Sequence, residues 1–595
     1  MSLKAELPNS KKSPDLVELF RKENVNFQQI GYTSQSTLSS TKGLGKYTGA
    51  FGKAQKFHLL NRALIGFSYQ SYTEIKNLSL DQTIDLILTP QGDYELPVND
   101  YYGEFADNAD LTSRDVPKGQ VWTTSKEWTP DNNQLSQFRM TSLKSWLMRQ
   151  FVHQKTSIHW KLVVMLHNLL VTSIQDGGVA KAAYQYFATL YSGAFGDYRK
   201  LILQITLDPE MLMYLNGNQN NKNNPDENYA RELQELFTVG KGPNSKYTQN
   251  DVNEMARLLT GWTFNYNNAI RLDGKIVAEM GINNHDTGDK QFSEFYGNRK
   301  IKGGATPEGA LRELNEAIEM IFATDECAKF ICRKIYAFFV NPLIDASVET
   351  NIITPLAKVF RENNFQISAV LKVLLSSEHF YDTIFYNSLI KSPLDFMIGL
   401  GKEFDLPLLD ENRVKIPYAD KDLYYQYKKF AHFQSTSQNM GMKFGDPPNV
   451  AGWPAYYQAP AFDLFWINSE TIIKRNQYTD SLCNFGNYVY YNNSTKKGWQ
   501  IRVDNADYIA KFSNPGDVDA LINELVDRLI GIPISESDKL QIWAKIMQGN
   551  PNVSYWRSAW DNFRVNPSNE NRQVVQNRLA PAFGYIFQLG EAQLH

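Results

Sequence analysis

The sequence predicts a mainly α protein: a large multi-helix domain with long polar loop insertions and minor β-hairpins. Two observations predict it. From Phe57 onward apolar residues recur at three and four, the period of an amphipathic helix. The composition agrees: 595 residues with 42% apolar and 13% aromatic side chains suffice for a sizeable core. With 21% charged residues and a mean hydropathy of −0.42, the chain is neither disordered, collagenous nor coiled coil.

The elements follow in order. Residues 1–55 read as an extended arm, rich in Ser, Thr, Gly, Lys and Gln, in which only Leu16 to Phe27 has the apolar content for a helix. Leu16, Val17, Leu19 and Phe20 make that segment amphipathic but too brief to be stable alone, so it is expected to pack on the body or a partner. Residues 56–595 read as a single large helical domain. Helices are expected from Phe57, over Leu80 to Leu88 where Pro90 closes the run, and over 135–152, 158–171, 180–190, 201–215 and 228–239. Polar, turn-rich insertions interrupt the pattern at about 91–132 and 264–304. In the second, Asp273-Gly274 between short apolar runs signals a hairpin. Loops of this length are usually functional or bind partners. Helices resume over 307–323, 325–339, 345–361, 367–376, 392–402 and 462–475. The C-terminal helical part, about 480–595, adds 517–530, 536–548 and 570–589.

Charge and sulfur exclude several function classes. With 61 basic against 64 acidic residues the net charge is −3, so no global field recruits nucleic acid or an anionic membrane. Cys327, Cys332 and Cys483 are too few and too scattered for a disulfide framework or a four-thiolate zinc site, and read as small buried apolar residues. No run approaches the roughly 18 uncharged apolar residues of a membrane span, and the N-terminus lacks the apolar stretch of a secretory leader.

Three polar stretches could carry chemistry. Counting Asn216 as position 1 of the Asn-rich loop places Asn218, Asn220 and Glu227 at the oxygen-ligand positions of a calcium loop. Three of the four are neutral amides and Asn221 stands where glycine is wanted, so a divalent cation competes with plain turn geometry ahead of Pro225. On the following helix Tyr229, Ala230, Leu233, Leu236 and Phe237 fall on one side and Asn228, Arg231, Glu232 and Glu235 on the other. That polar face is either solvated, with an Arg231 to Glu235 pair, or lines a cleft where Arg231 holds one carboxylate ionised and frees the other as base or ligand. The second stretch, Asn284 to Lys290, sets His285 beside Asp286 in a Gly-containing loop, either a general base or a local turn. His58 and His167 lie in apolar helices and read as core histidines. The third, Phe444 to Tyr457, has three prolines and two glycines around Trp453, Tyr456 and Tyr457 and must be a rigid, ring-packed loop. Phosphate-loop, nucleophile-elbow and zinc-protease signatures are missing.

Taken together, His58 to Ala63, Asp208 to Leu215, Pro225 to Gly240, Leu259-Thr-Gly-Trp262, His285-Asp286 and Pro447 to Pro454 resemble the bacterial domain-of-unknown-function-1800 family. Order and spacing agree from Phe57 to the closing Arg578 to Leu589, and only the arm is unmatched. The resemblance implies a mainly helical fold, frequent export and frequent gene pairing with a family similar to sulfatases and alkaline phosphatases, with no established activity. In one departure, the family's Phe-Trp-His-Asn-His-Phe becomes Met165-Leu-His-Asn-Leu-Leu170, losing the Trp and the second His.

The resulting expectation is an exported or surface-associated binding or assembly protein that engages a protein partner through its arm and long loops, or a polysaccharide. The alternative is a hydrolase, metal-assisted or not, acting on a polar substrate such as a glycan. Its cleft would join Arg231, Glu232, Glu235, His285 and Asp286.

Overall fold

Phe57, Leu59, Leu60 and Ala63 are no more than 4% exposed on the first described helix, Lys53–Ala63, so the periodicity that begins there is a buried face. The computed structural model describes residues 40–101, 115–128, 134–406, 420–492 and 497–595. Helix accounts for 58% of the chain. The longer helices follow the expected order: Leu135–Val152, His159–Leu169, Ala180–Gly193, Pro307–Phe322, Asp325–Phe339, Pro393–Glu403 and Asn569–Gln588. His159–Leu169 is buried on every side except at Asn168, as a helix apolar all round must be, and packs against Ala180–Gly193 and Asp325–Phe339. The three cysteines are free and buried.

Strands are confined, among the described residues, to three antiparallel two-stranded pairs. Trp262–Thr263 pairs with Glu279–Met280, Lys290–Gln291 with Lys300–Ile301, and Asn487–Asn492 with Lys497–Ile501.

Several local expectations are corrected. The hairpin centred on Asp273-Gly274 does not form: Tyr266–Arg271 is a helix capped by the Asn265 side chain, and Asp273 accepts the Lys126 N–H at 3.0 Å. The expected 201–215 helix breaks in two, because Asp208 caps a new start with Pro209 in its first turn. In place of a helix over 462–475, Phe462–Trp466 is a short 3-10 turn and the α-helix runs from Thr471 to Cys483. Helices at Tyr69–Ile75, Gln249–Leu258, Asp420–Asn439 and Ser554–Val565 were not anticipated.

The expected helix at Leu16 to Phe27 lies outside the described residues, as do 102–114 and 129–133 of the first insertion. The end of the arm is pinned to the body: the Tyr47 N–H donates to Ser376 O at 2.8 Å and its ring lies 4.7 Å from that of Tyr381. The second insertion is also no free loop. Phe292, Tyr296 and Ile301 are buried, and the Tyr296 hydroxyl donates to Gln234 Oε1 at 2.8 Å.

Candidate functional site at the Asn-rich turn

The turn begins where Asn216 takes a left-handed φ of 59°, leading the Pro209–Tyr214 helix into a single 3-10 turn. Asn220 then points inward. Its Nδ2 donates to Ala256 O and its Oδ1 accepts the Asp226 N–H, both at 2.9 Å. The carboxamide expected to ligate a cation is therefore consumed by backbone. Glu227 turns away to accept hydrogen bonds from Arg231 and Gln249, each at 2.7 Å. Asn216 is exposed, while the Asn218 side-chain oxygen is buried without a donor among the described residues. The calcium-loop reading of Asn216, Asn218, Asn220 and Glu227 is corrected accordingly, since two of its four oxygens are already engaged elsewhere. No cluster of three or more His, Cys, Asp or Glu suited to a metal occurs among the described residues.

The next helix runs as α over Glu227–Glu232 and continues as π-helix over Leu233–Thr238. The wider turn advances each residue by less than the α-helical angle, so the faces rotate. Tyr229, Leu233 and Phe237 are buried as expected, but Leu236 is only half-buried and Gln234 rotates fully inside. Gln234 is satisfied there, donating to Ala230 O at 3.0 Å and accepting from Tyr296. On the polar side no Arg231 to Glu235 pair forms. Arg231 holds Glu227, and Glu235 accepts from Lys241 at 3.0 Å. Glu232 is half-buried and accepts no hydrogen bond among the described residues; burial first, then the neighbouring Glu235, raises its carboxyl above the usual range.

His285 belongs to a different network. It is 1% exposed, with Nδ1 2.7 Å from Thr260 O and Nε2 3.1 Å from Glu313 Oε1. Glu313 Oε2 accepts from Lys290 at 2.6 Å, and the side chains of all three are fully buried. Among the described residues no hydrogen bond joins Arg231, Glu232 or Glu235 to His285 or Asp286. The shared catalytic cleft is therefore corrected: the imidazole is sealed between a carbonyl and a carboxylate. Asp286 forms a two-point ion pair with Arg257 at 2.8 and 3.2 Å. Burial opposes its ionisation, but the hydrogen bonds from Arg257 and Gly288 prevail and hold it below the usual carboxylate range.

These motifs nonetheless converge. Gly261 N–H donates to Asn220 O at 2.9 Å, Lys222 N–H to Asn284 O at 2.8 Å, and Asp286 N–H to Thr260 Oγ1 at 2.8 Å. The Asn-rich turn, the Thr260-Gly261 turn and the His285 loop thus form one hydrogen-bonded knot. Beside it Thr206, Asn216, Asn220, Asp226, Tyr229 and Trp262 line a small cleft of about 10 Å³, room for about one water. Sequence reasoning missed Glu313 and Lys290. The available signal was a carboxylate at 313 inside the apolar stripe of Ala310, Leu314 and Ala317.

The proline-rich loop is ring-packed as expected. Phe444 and Trp453 are no more than 2% exposed and stack with a 9° interplanar angle. The Trp453 N–H donates to Asn168 Oδ1 at 2.9 Å. Gly452 has a φ of +94°, and a Cβ there would lie 2.3 Å from that same oxygen, so only glycine fits. His167 stands 5.7 Å from the Trp453 ring and donates from Nδ1 at 2.9 Å to the Tyr186 hydroxyl, whose own proton goes to Leu170 O. The retained His167-Asn168 pair thus anchors this loop.

These features define a mainly α protein whose polar motifs clamp its loops together instead of converging on an open carboxylate and histidine cleft. The chain belongs to the family described as protein of unknown function DUF1800, which matches residues 58–590. Neither the curated proteins nor the solved structures contain a match to it.

Proposed function

We propose that the chain is a binding or assembly protein, exported or surface-associated, whose contact surface lies between Leu464 and Val574. One observation carries this reading. Of the nineteen exposed large apolar side chains among the described residues, eleven lie between Leu464 and Val574, under a fifth of the chain. They include Ile473, Phe485, Tyr488, Tyr555 and Val565, each more than half exposed. Single exposed apolar residues are ordinary, whereas their concentration in one stretch of the chain supports an interaction surface there. Tyr488 and Tyr490 present near-parallel rings, 6.0 Å apart at 15°, on the Asn487–Asn492 strand. Aromatic residues of this kind supply large contact area at small entropic cost. Export rests on the family resemblance.

The test is co-purification of the tagged full chain from its native host, beside the double variant Phe485→Ser, Tyr488→Ser. A partner held by the native chain should be lost from the variant while the thermal midpoint stays within about 2 °C. Equal retention by both would remove the C-terminal surface from the account.

A second reading, hydrolysis of a polar substrate, is favoured by Glu232 alone. A half-buried carboxyl with a raised proton affinity beside a second carboxylate suits a general acid. If this reading holds, Glu232→Gln abolishes release of new reducing ends from a polysaccharide substrate, and otherwise the native chain releases none.

A further inference from the structure

Along the paired strands Asn487–Asn492 and Lys497–Ile501 successive residues face opposite sides, and Val489 and Ile501 turn inward, 6% and 0% exposed. Tyr488 and Tyr490 take the outer side, 55% and 36% exposed, and Phe485, at the entry to the first strand, is 61% exposed. The register sets Tyr488 opposite Gln500 and Tyr490 opposite Gly498, so the second ring has no cross-strand side chain over it.

The outer face is organised in advance. Gln500 Nε2 donates to Phe485 O and, at 3.3 Å, to the Tyr488 hydroxyl. The amide can lie there because Gly486, with a φ of +83°, has no Cβ, which would meet Gln500 Cγ at 2.4 Å. Gln500 Oε1 accepts no hydrogen bond among the described residues. The two tyrosine rings are parallel to within 15°, their centroids 6.0 Å apart.

Size and charge select the occupant. Taking roughly 200 Å² for each aromatic side chain, the three rings leave about 300 Å² open. A stable protein interface buries about 800 Å² on each partner, so these rings alone are small for a protein and of the size of a few sugar units. The described side chains of this face, Tyr488, Tyr490 and Gln500, carry no charge, and Arg502 stands one residue beyond the pairing. A single nucleic acid strand also stacks on rings, but it needs a row of cations along its backbone. An uncharged sugar unit offers a flat C–H face to an aromatic ring and hydroxyls to an amide.

We propose, on the reading that the contact surface lies in this region, that the outer face of the hairpin binds a neutral β-linked glycan. Its successive sugar units stack on Tyr488 and Tyr490, and a sugar hydroxyl donates to Gln500 Oε1.

The experiment is isothermal titration of the full chain with cellohexaose and with xylohexaose, beside the hexamer of galacturonic acid. Saturable binding of a neutral hexamer is expected, weakened about tenfold in Tyr488→Ala and in Tyr490→Ala, the scale of one aromatic contact, and retained in Tyr488→Phe, which keeps the ring. No saturable binding of either neutral hexamer, equal binding by Tyr490→Ala, or a preference for the acidic hexamer would overturn the proposal. The contact surface itself is judged separately, by whether Phe485→Ser, Tyr488→Ser loses a partner held by the native chain. A protein partner lost there without glycan binding keeps the surface and removes the glycan.

Discussion

Glu210 is fully buried and neither carboxylate oxygen has a hydrogen-bond donor among the described residues. Burial, reinforced by Asp208 and Glu127, raises its carboxyl well above the usual range and so favours its neutral form in the fold. A carboxyl raised in the fold stabilises below its unfolded value, and that stability is lost as pH rises toward the folded value. The native chain should therefore lose up to about 1.4 kcal/mol per pH unit relative to Glu210→Gln as the pH rises above about 5. Chemical denaturation across that range checks it, and a difference independent of pH would show the carboxyl ionised in the fold. Glu235 is the opposite case. Its partner Lys241 is 78% exposed, so Glu235→Gln should cost under about 1 kcal/mol in the same assay. At this scale the sequence revealed which rings and aliphatic residues are buried, Tyr229, Leu233 and Phe237 among them. It could not reveal Gln234 or the Glu313 partner of His285, because both depend on residues tens of positions away.

Among the elements, the π-widened end of the helix after Glu227 explains the partial success of its face assignment. A strict α-helical wheel puts Leu236 inside, whereas the observed turn leaves it half-buried and brings Gln234 inside. Leu233 is buried on either geometry, and Leu233→Ala should cost about 2–5 kcal/mol in equilibrium unfolding. The second insertion is held by the buried His285, Glu313 and Lys290 group. Removing one member leaves two buried groups uncompensated, so Glu313→Ala should cost about 3–5 kcal/mol. Hydrogen exchange of that variant should rise first over 282–301; exchange rising uniformly over the chain would mean the group stabilises the whole fold and not this clamp. Local signals failed where tertiary pairing decided. Asp273-Gly274 has the residues of a hairpin turn, yet the strand at Glu279 pairs with Trp262, and the Asp273 side chain is taken by Lys126.

At the scale of the whole molecule, long helices with three- and four-residue periodicity were legible because burial of one face depends on local spacing alone. The function was less so, since the polar stretches that stand out in the sequence serve as internal clamps. The apolar surface after Leu464 stands out only when exposure is known, as Phe485 and Tyr488 are no different in sequence from the buried Phe430 and Tyr427. The account's central claim is that this C-terminal region is the contact surface. Hydrogen exchange of the full chain, alone and with the partner co-purified from its host, tests it most directly. The account predicts that amide protection appears over 471–492 and 554–588 and leaves the helix from Glu227 to Thr238 unchanged. Protection confined to Asn216 to Gly240 would contradict it and return the function to the cleft at the Asn-rich turn.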